Sequence, residues 1–549
     1  MSTNTKKKHG TGAAVVLIVL CLLALGTLGY IIWRQFNPVV PETAAGYVAA
    51  AGTTAPVYDE NGTQLGSLVR GAEVQYVAED AEGGADRIRV VNGEGYAYLD
   101  AANLTADYSS AVLTETVYAL RGMSLTDETG VVPGCAVEKG MALTVTGFDG
   151  LDENGEVLRW AVSCDRGEGY IDGENVRMTE EEALAQYDEA LYQRHAARGD
   201  AAAGLDYYPT EKPAFTDNVM PDEVRALYLN GSAIQYADSY IRLAQGTGIN
   251  AFVVDIVDGT AVSYASPVMQ QYSPSAYAAA QDTMEGFKAN VQKLRDAGYY
   301  VIGRITVFND AHLAADHPEY VISDLNGTPL KISSMYWPSA YNRTVWQYKV
   351  DLALEAAALG FNEIQFDYIR FPDGAYKYEQ AGTIDYKNTY GESKAQAVQR
   401  FLIYAAQRLH DAGYYISGDV FGECANAYVT ACGQYWPAIS SVVDAISGMP
   451  YPDHYSAQGD YKPWEHPYTT VHNFGESAMA RQSETASPGA VRTWIQCYNA
   501  IREPYNHYGA AELADEVRAL RDAGCTGGFM TWNGASDIDK YAEVISALS

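Results

Sequence analysis

The sequence predicts an α/β protein whose C-terminal part, residues 222–549, is a (β/α)8 barrel of the TIM type. Three observations support this architecture. Eight strand-like segments alternate with helical segments from residue 222 onward. A weak repeat of short alternating strands within residues 47–178 predicts two small all-β modules. An apolar, charge-free run near the N-terminus predicts a transmembrane helix ahead of both.

The apolar run covers residues 12–33 and follows three lysines at positions 6–8. Its length of about 22 residues is enough to cross a bilayer and exceeds the apolar core of a signal peptide. The positive-inside rule then places residues 1–11 in the cytoplasm and the bulk of the chain outside the cell. Cleavage after export is the alternative, although no small-x-small site follows the run. The sequence therefore predicts a single-pass protein of the cell membrane.

The repeat pairs "GEGYAYLDAANLT" (93–105) with "GEGYIDGENVRMT" (167–179). We assign module 1 to residues 47–106 and module 2 to residues 111–178. The Gly-Tyr pattern that closes each module resembles bacterial Src-homology-3-like modules, and this resemblance implies binding to cell-wall glycan or peptidoglycan. A spacer without a ligand is the alternative. Residues 179–221 then form a helical linker to the barrel.

The composition excludes some classes of function. With a net charge of −32, the protein lacks the basic surface that nucleic acid requires. Six of the seven cysteines follow the apolar run, but none has C-x-x-C spacing. An exported protein permits disulfides, and Cys424 with Cys432 is the likeliest pair because the two are close in sequence.

The barrel prediction depends on eight strands and on the glycines that end several helices. Four helical segments run into a glycine cap, in "KLRDAGYY", "ALGFNEI", "RLHDAGYY" and "ALRDAGCTGG". A doubly wound open sheet is the alternative, but the chain has no glycine fingerprint for a nucleotide. The predicted strands are residues 224–231, 249–259, 299–310, 361–371, 414–423, 444–452, 491–499 and 526–534.

Polar side chains follow almost every predicted strand. Because active sites of such barrels form at the carboxyl ends of the strands, we expect these side chains to converge. Burying so many polar groups without partners would cost several kcal/mol each, which indicates a function. They are Asp255, Asp258, Arg304, Asn309, Asp367, Tyr368, Arg370, Asp419, Glu423, Tyr451, Asp453, His454, Gln496, Trp532 and Asn533.

Some of these residues also have structural interpretations. Asp255 can pair with Arg304 on the neighbouring strand, and His454 can serve as a hydrogen-bonded support. Glu363 and Gln365 share the inward face of the fourth strand with Asp367 and are expected to fill a polar barrel floor.

The motifs of other chemistries are absent. The nine histidines lack zinc-ligand spacing, no G-x-S-x-G elbow is present, and no glycine-rich loop with lysine is available for phosphate. The sequence therefore predicts neither a metal nor a cofactor. Carboxylates beside aromatic side chains suit glycoside hydrolysis, in which one carboxyl protonates the leaving oxygen and another acts as nucleophile or base.

The fourth strand, "NEIQFDYIRFP", carries a family resemblance together with "RALYLNG", "FVVDIVDGT", "GRITVFND", "GDVFGE", "SGMPYPDHY" and "MTWNGAS". Residues 222–549 resemble a glycoside hydrolase domain family of bacterial membrane-anchored TIM-barrel proteins. The resemblance implies that Asp367 is the nucleophile. It leaves Asp419 and Asp453 as candidates for the general acid, with Glu423 behind them, and we expect Arg370 to orient or charge-stabilise Asp367.

The resulting hypothesis is a membrane-anchored extracellular enzyme that hydrolyses a cell-wall, capsular or exopolysaccharide glycan with retention of configuration. Asp367, Asp419 and Asp453 are the catalytic candidates. The substrate-binding candidates are Asp255, Arg304, Tyr368, Arg370, Glu423, Tyr451, His454, Gln496 and Trp532. A barrel that binds glycan without cleaving it, and a transglycosylase, are the alternatives.

Overall fold

The computed structural model describes residues 40–50, 54–93, 95–112, 114–152, 156–185 and 188–548, together with Thr27. The predicted cytoplasmic tail, residues 1–11, lies outside the described residues, and so does the predicted transmembrane helix, residues 12–33, apart from Thr27. Within the described ranges, none of the helices combines the length and apolarity needed to span a bilayer.

Residue contacts divide the chain into two compact units. The first unit contains the chain up to Thr114 and a later segment, Gly147–Arg159. The second unit contains Glu115–Thr146 and the chain from Trp160 onward. Most of the second β-sheet therefore belongs to the same unit as the linker and the barrel.

Each half of the predicted repeat forms a seven-stranded sheet. Numbered within each sheet, the strand order is 3-2-6-5-4-1-7 in both, and a short 3-10 turn precedes the seventh strand in both. The sequence repeat is thus a structural repeat. The first sheet consists of Thr43–Val48, Thr54–Tyr58, Gln64–Val69, Glu73–Val77, Arg87–Asn92, Gly95–Asp100 and Leu104–Thr105. The second consists of Thr116–Ala119, Met123–Asp127, Gly130–Val137, Ala142–Leu151, Val157–Cys164, Gly167–Asp172 and Val176–Arg177.

The residues between the second sheet and the barrel form three short helices, Glu180–Leu184, Glu189–Ala196 and Asp200–Ala203. Side chains cap the first two, because Thr179 accepts the Glu182 amide at 3.2 Å and Asp188 accepts the Ala190 amide at 2.9 Å.

Eight parallel strands then close into a barrel, which confirms the predicted (β/α)8 fold and excludes the open sheet. Each strand pairs with the next, and β1 pairs with β8. The seventh strand is interrupted at Arg492, so that its first segment pairs with β6 and its second with β8. The strands are β1 Val224–Leu229, β2 Ala251–Gly259, β3 Tyr300–Asp310, β4 Glu363–Asp367, β5 Tyr415–Phe421, β6 Ala445–Met449, β7 Ala490–Val491 with Thr493–Gln496, and β8 Gly528–Trp532.

One helix follows each strand, and the predicted glycine caps end the helices before β3, β4, β5 and β8. Gly298, Gly360, Gly413 and Gly524 all have φ between +84° and +127°, a left-handed conformation that glycine adopts without a steric penalty. The helices are α1 Ala237–Ala244, α2 Met284–Asp296, α3 Arg343–Ala357, α4 Lys394–Asp411, α5 Trp436–Ser440, α6 Pro467–Gln482, α7 Ala510–Asp522 and α8 Ile538–Val544. Shorter helices are Pro267–Tyr272, Pro274–Ala278, Ala311–Asp316 and Tyr376–Ala381.

A buried ion network attaches the second sheet to α3 and α4. Arg343 on α3 and Arg400 on α4 both donate to Glu392, and all three side chains are almost fully buried. Arg343 also donates to the Ser124 hydroxyl at 3.1 Å, and Arg400 to Glu138. Because Ser124 lies in the second sheet and Glu138 directly follows its strand Gly130–Val137, these contacts hold that sheet on the barrel helices.

The floor of the barrel is polar, as the sequence predicts. Glu363 on β4 accepts hydrogen bonds from Arg492 at 2.6 Å, from the Ser417 hydroxyl at 2.5 Å and from the Tyr300 hydroxyl at 2.9 Å. One residue layer above, the amide of Gln365 donates to the Ser447 hydroxyl at 3.2 Å. The Glu363–Arg492 pair therefore connects β4 to the interrupted seventh strand across the barrel interior.

We expect Arg492→Met to lower the free energy of unfolding of the barrel by about 3–5 kcal/mol, because it leaves a buried carboxylate without its cation. The double variant Glu363→Gln/Arg492→Met should recover most of that loss. Urea denaturation followed by fluorescence measures both.

The matched control is Arg518→Gln, which removes an exposed ion pair with Asp515 and should cost less than about 1 kcal/mol. A loss for Arg492→Met no larger than for this control would contradict the importance of the floor.

Candidate active site

The guanidinium of Arg304 lies at the centre of the carboxyl end of the barrel. Arg304 belongs to β3 and is 2% exposed. Its Nη1 donates to Asp255 at 2.8 Å, its Nη2 donates to Oδ2 of Asp367 at 2.6 Å, and its Nε lies 3.2 Å from the same oxygen. Asp258 and Asp419 lie 3.5 Å and 3.9 Å from the guanidinium. One cation therefore gathers aspartates from β2, β4 and β5.

Asp367 is the last residue of β4, and the turn that follows positions it. Tyr368 has a φ of 53°, so the strand ends at Asp367 rather than at residue 371 as predicted. The Tyr368 amide donates to Oδ1 of Asp367 at 2.6 Å. A left-handed conformation costs a tyrosine about 1–3 kcal/mol, and such strain concentrates at functional sites. Oδ2 of Asp367 thus accepts two hydrogen bonds and Oδ1 accepts one, so that Oδ1 keeps a second lone pair.

Asp419 on β5 is fully buried and has a different environment. The Trp494 indole donates to Oδ1 at 2.9 Å, but Oδ2 has no hydrogen-bond partner among the described residues. Burial raises the pKa of Asp419 well above its usual range, the negative charge of Asp367 raises the pKa further, and Arg304 only partly opposes these effects. Asp419 therefore keeps its proton at a pH where an exposed aspartate has lost it.

Asp255 on β2 is a supporting partner of Arg304. It accepts a hydrogen bond from the Tyr228 hydroxyl as well as from Arg304. Burial raises the pKa of Asp255 to about 7, against the opposing effect of the Arg304 cation. The structural ion pair that the sequence allows is thus present.

A cavity of about 170 Å³ opens beside Arg304 and Asp367. Aromatic rings form much of its wall, and the Arg304 guanidinium stacks over Trp532 at 5.1 Å. Asp419 and Asp255 are not among the lining residues. The cavity is lined by Arg304, Asp367, Tyr368, Arg370, Phe421, Met449, Tyr451, His454, Trp494 and Trp532.

Arg370 lines the cavity but does not hold Asp367. The expectation that it orients Asp367 is wrong, because Arg304 on the neighbouring strand occupies that role. Arg370 instead donates to the Phe371 carbonyl at 3.3 Å. The left-handed turn at Tyr368 explains the difference, since it directs the chain after Asp367 away from the β4 axis.

Asp453 follows β6 and its carboxylate has three hydrogen-bond partners. It accepts from the Tyr498 hydroxyl at 2.9 Å and the Ile501 amide at 3.1 Å, and it lies 2.8 Å from Nδ1 of His454. Burial alone would raise the pKa of Asp453, but these hydrogen bonds together lower it. The side-chain carbonyl of Gln496 accepts the backbone amide of Asp453 at 3.2 Å. Asp453 and Gln496 therefore support His454, which lines the cavity.

Two further expectations differ from the structure. Glu423 is exposed, accepts a hydrogen bond from Tyr428 at 3.0 Å and lies outside the cavity lining. Cys424 and Cys432 are buried free thiols, so the predicted disulfide is absent.

The sequence analysis missed three contributors, Tyr228, Phe421 and Met449. Tyr228 lies two positions after Ala226 on β1, and Phe421 lies two positions after Asp419 on β5. Each therefore shares the inward face of its strand with that residue. The alternation of side chains along a strand predicts their inward direction. Because the side chains are uncharged, however, the sequence did not mark them as functional.

Known proteins resemble this chain in sequence and in structure. The sequence pattern of the family described as "Putative glycosyl hydrolase domain" matches residues 226–538. A hypothetical protein from Ruminiclostridium thermocellum shares 32% identity with a TM-score of 0.30, over 35% of this chain and 97% of that one. The PgaB (BpsB) glycoside hydrolase domain of Bordetella bronchiseptica shares 12% identity with a TM-score of 0.41, over 59% of this chain and 99% of that one. The α-galactosidase TtGalA of Thermus thermophilus shares 12% identity with a TM-score of 0.39, over 87% and 92%. None of the curated proteins matches this sequence.

We expect Asp419→Asn to be more stable than the wild type at pH 8 and about equally stable near pH 3.5. A raised folded-state pKa means that the native protein holds a proton the unfolded chain releases, so stability falls as pH rises above the unfolded value of about 3.9. Asparagine mimics the protonated acid and therefore removes this loss of stability. The expected gain at pH 8 is at least about 1 kcal/mol for each unit by which folding raises the pKa of Asp419.

Thermal unfolding of both proteins from pH 3.5 to pH 8 measures the difference. The matched control is Asp522→Asn on the exposed surface, which should shift stability little at any pH. A constant difference between Asp419→Asn and wild type across the range would refute the buried-acid interpretation.

Proposed function

Because the chain belongs to the family described as "Putative glycosyl hydrolase domain", we propose that Asp367 and Asp419 are the catalytic pair with which its barrel hydrolyses a glycan. One observation carries this assignment: Arg304 hydrogen-bonds Asp367 directly but lies 3.9 Å from Asp419, whose Oδ2 has no hydrogen-bond partner among the described residues and whose pKa is raised by burial. Two carboxyl groups whose environments differ in this way can act as nucleophile and as acid. Asp453 fits the acid role less well, because its pKa is lowered.

In the proposed first step, Asp367 attacks the anomeric carbon from the cavity and forms a carbon–oxygen bond. The glycosidic bond breaks, its electron pair passes to the leaving oxygen, and that oxygen takes the proton of Asp419. Because Asp419 does not line the cavity, this transfer requires its carboxyl to become accessible when the glycan binds. In the second step the ionised Asp419 takes a proton from water while the water oxygen attacks the anomeric carbon. The bond to Asp367 then breaks, which regenerates the carboxylate of Asp367 and the acid form of Asp419.

The spacing of the pair supports retention of configuration. Oδ2 of Asp367 and Oδ2 of Asp419 lie 3.2 Å and 3.9 Å from the same nitrogen, Nε of Arg304. Retaining pairs are about 5–5.5 Å apart, whereas inverting pairs leave about 6.5–9.5 Å for a water molecule. The two oxygens are therefore at most about 7.1 Å apart, a bound that includes the whole retaining range and only the lower end of the inverting range.

The aromatic wall supports a sugar as the ligand. Tyr368, Tyr451, Trp494 and Trp532 line the cavity, and such rings offer flat apolar faces while their polar atoms hydrogen-bond at the edge. A cavity of about 170 Å³ is small beside the 300–1,000 Å³ typical of ligand pockets. It suits one ring of a polysaccharide, with the remainder of the glycan outside.

The location of the enzyme is a proposal from the sequence. We propose that residues 12–33 anchor the chain in the cell membrane with residues 1–11 inside the cell, so that the barrel faces cell-wall, capsular or exopolysaccharide glycan. The two Src-homology-3-like modules would then contact the wall. Their shared strand order supports a common origin of the modules.

We expect Asp367→Ala to lose at least about a thousandfold in kcat on a glycan that the wild type cleaves, because the nucleophile is missing. Sodium azide should restore turnover of an activated aryl glycoside and give a glycosyl azide of inverted configuration, since azide enters from the face that Asp367 vacates. Product NMR identifies the configuration.

Asp419→Ala is the companion variant. It should retain the first step on a dinitrophenyl glycoside, whose leaving group needs no proton, and lose it on a poor leaving group. A wild-type protein that binds glycans but hydrolyses none on a broad panel would contradict the hydrolase, and net transfer to another sugar would identify a transglycosylase. Equal behaviour of the two variants would contradict the assigned roles.

The anchor makes a separate prediction. The full chain should remain with the membrane fraction after an alkaline carbonate wash, because an apolar span of about 20 residues inserts effectively irreversibly. A chain that starts at residue 40 should be released. Release of the full chain by the wash would refute the anchor.

A further inference from the structure

The cavity is more cationic than the protein that surrounds it. Its lining contains two arginines, Arg304 and Arg370, but only one carboxylate, Asp367. The whole chain, in contrast, has a net charge of −32. A surplus of positive charge in this lining needs an explanation, because the chain as a whole carries a net negative charge.

Arg304 does not account for the surplus. Asp255 and Asp367 accept hydrogen bonds from Arg304, and Asp258 lies 3.5 Å from its guanidinium. The charge of Arg304 is therefore compensated within the protein.

Arg370, in contrast, is almost without a counter-charge. It is only 6% exposed, and within the described part of the chain the only carboxylate inside 4 Å is Asp373, at 3.7 Å. The side chain of Asp373 is 58% exposed, and water and salt screen so exposed a charge. The Phe371 carbonyl is the one protein acceptor that Arg370 reaches among these residues, at 3.3 Å. A guanidinium has five N–H donors, so most of those of Arg370 remain available.

Three aromatic rings hold the guanidinium of Arg370 in a defined orientation. The guanidinium carbon, Cζ, lies 4.2 Å from the ring centroid of Phe421, 4.8 Å from that of Tyr368 and 5.0 Å from that of Trp337. These rings remove water from the cation without supplying a negative charge. A desolvated, oriented guanidinium with unused donors is preorganised for an anion.

We infer that Arg370 recognises an anionic group on the sugar that occupies the cavity, so that the substrate is an acidic glycan. A uronate carboxylate and a sulfate ester share this chemistry, because both present two oxygens to the fork of a guanidinium. The inference rests on the proposed function in one respect: Arg370 and Asp367 line the same cavity, so the ring that meets the nucleophile also meets Arg370.

A purely structural role for Arg370 makes a different prediction. If the arginine only packs against its aromatic neighbours, its replacement lowers stability and weakens the binding of acidic and neutral sugars alike. If Arg370 recognises an anion, its replacement instead weakens the binding of acidic sugars selectively.

The test measures the affinity of wild type, Arg370→Gln and Arg370→Lys for matched sugars by calorimetry. The pairs are glucuronate with glucose, galacturonate with galactose and mannuronate with mannose, together with the 6-sulfates of the three hexoses. We expect wild type to bind the anionic member of at least one set about tenfold more tightly than its neutral partner, as one charge-assisted contact provides. Arg370→Gln should abolish this preference while neutral affinity changes little, and Arg370→Lys should retain part of it.

Arg518→Gln, on the exposed face of α7, is the control for a general loss of positive charge and should keep the preference. Preference for a uronate identifies the carboxylate as the group, and preference for a sulfate identifies the ester. If Arg370→Gln does not fold, the wild-type comparison and Arg370→Lys decide the question.

Equal affinity of wild type for the acidic and neutral members, or no binding of any acidic sugar, would overturn the inference. The two proposals fail separately. Hydrolysis of a neutral glycan without a preference for acidic sugars would refute only the role of Arg370. Binding of acidic sugars that depends on Arg370, without hydrolysis of any acidic glycan, would refute only the hydrolase.

Discussion

The buried guanidinium of Arg304 organises the aspartates at the carboxyl end of the barrel. A cation in this environment is stable only when it is paired, and Asp255 and Asp367 provide the pairing. Asp419 lies 3.9 Å from the same group, too far for a hydrogen bond, and burial raises its pKa while Arg304 only partly opposes that effect. The contrast between Asp367 and Asp419 thus arises from burial and from how closely each carboxyl approaches one cation.

The closure of the barrel and the chemistry of its rim are connected. Arg492 interrupts the seventh strand and donates a hydrogen bond to Glu363 on the barrel floor. The segment before Arg492 pairs with β6, and the segment after it pairs with β8. Two residues further along the same strand, Trp494 reaches the rim and donates its indole N–H to Asp419. The buried pair on the floor and the indole that donates to Asp419 are thus carried by the same strand.

Much of this architecture was predictable because it depends on local patterns. The four glycine caps ended helices where expected, since only glycine adopts a positive φ without strain. Alternation correctly placed Glu363, Gln365 and Asp367 on the inward face of β4. The pairing of Asp255 with Arg304 was also accessible, because consecutive strands of such a barrel are neighbours.

The sequence by itself determined the number and order of the strands, the repeat of the all-β modules and the set of polar side chains at the strand ends. Each of these follows from periodicity or from the conformational limits of single residues. Only the tertiary structure decided that Arg304, and not Arg370, holds Asp367, and that burial raises the pKa of Asp419. Those outcomes depend on the turn at Tyr368 and on burial, and burial exists only once all eight strands surround the same interior.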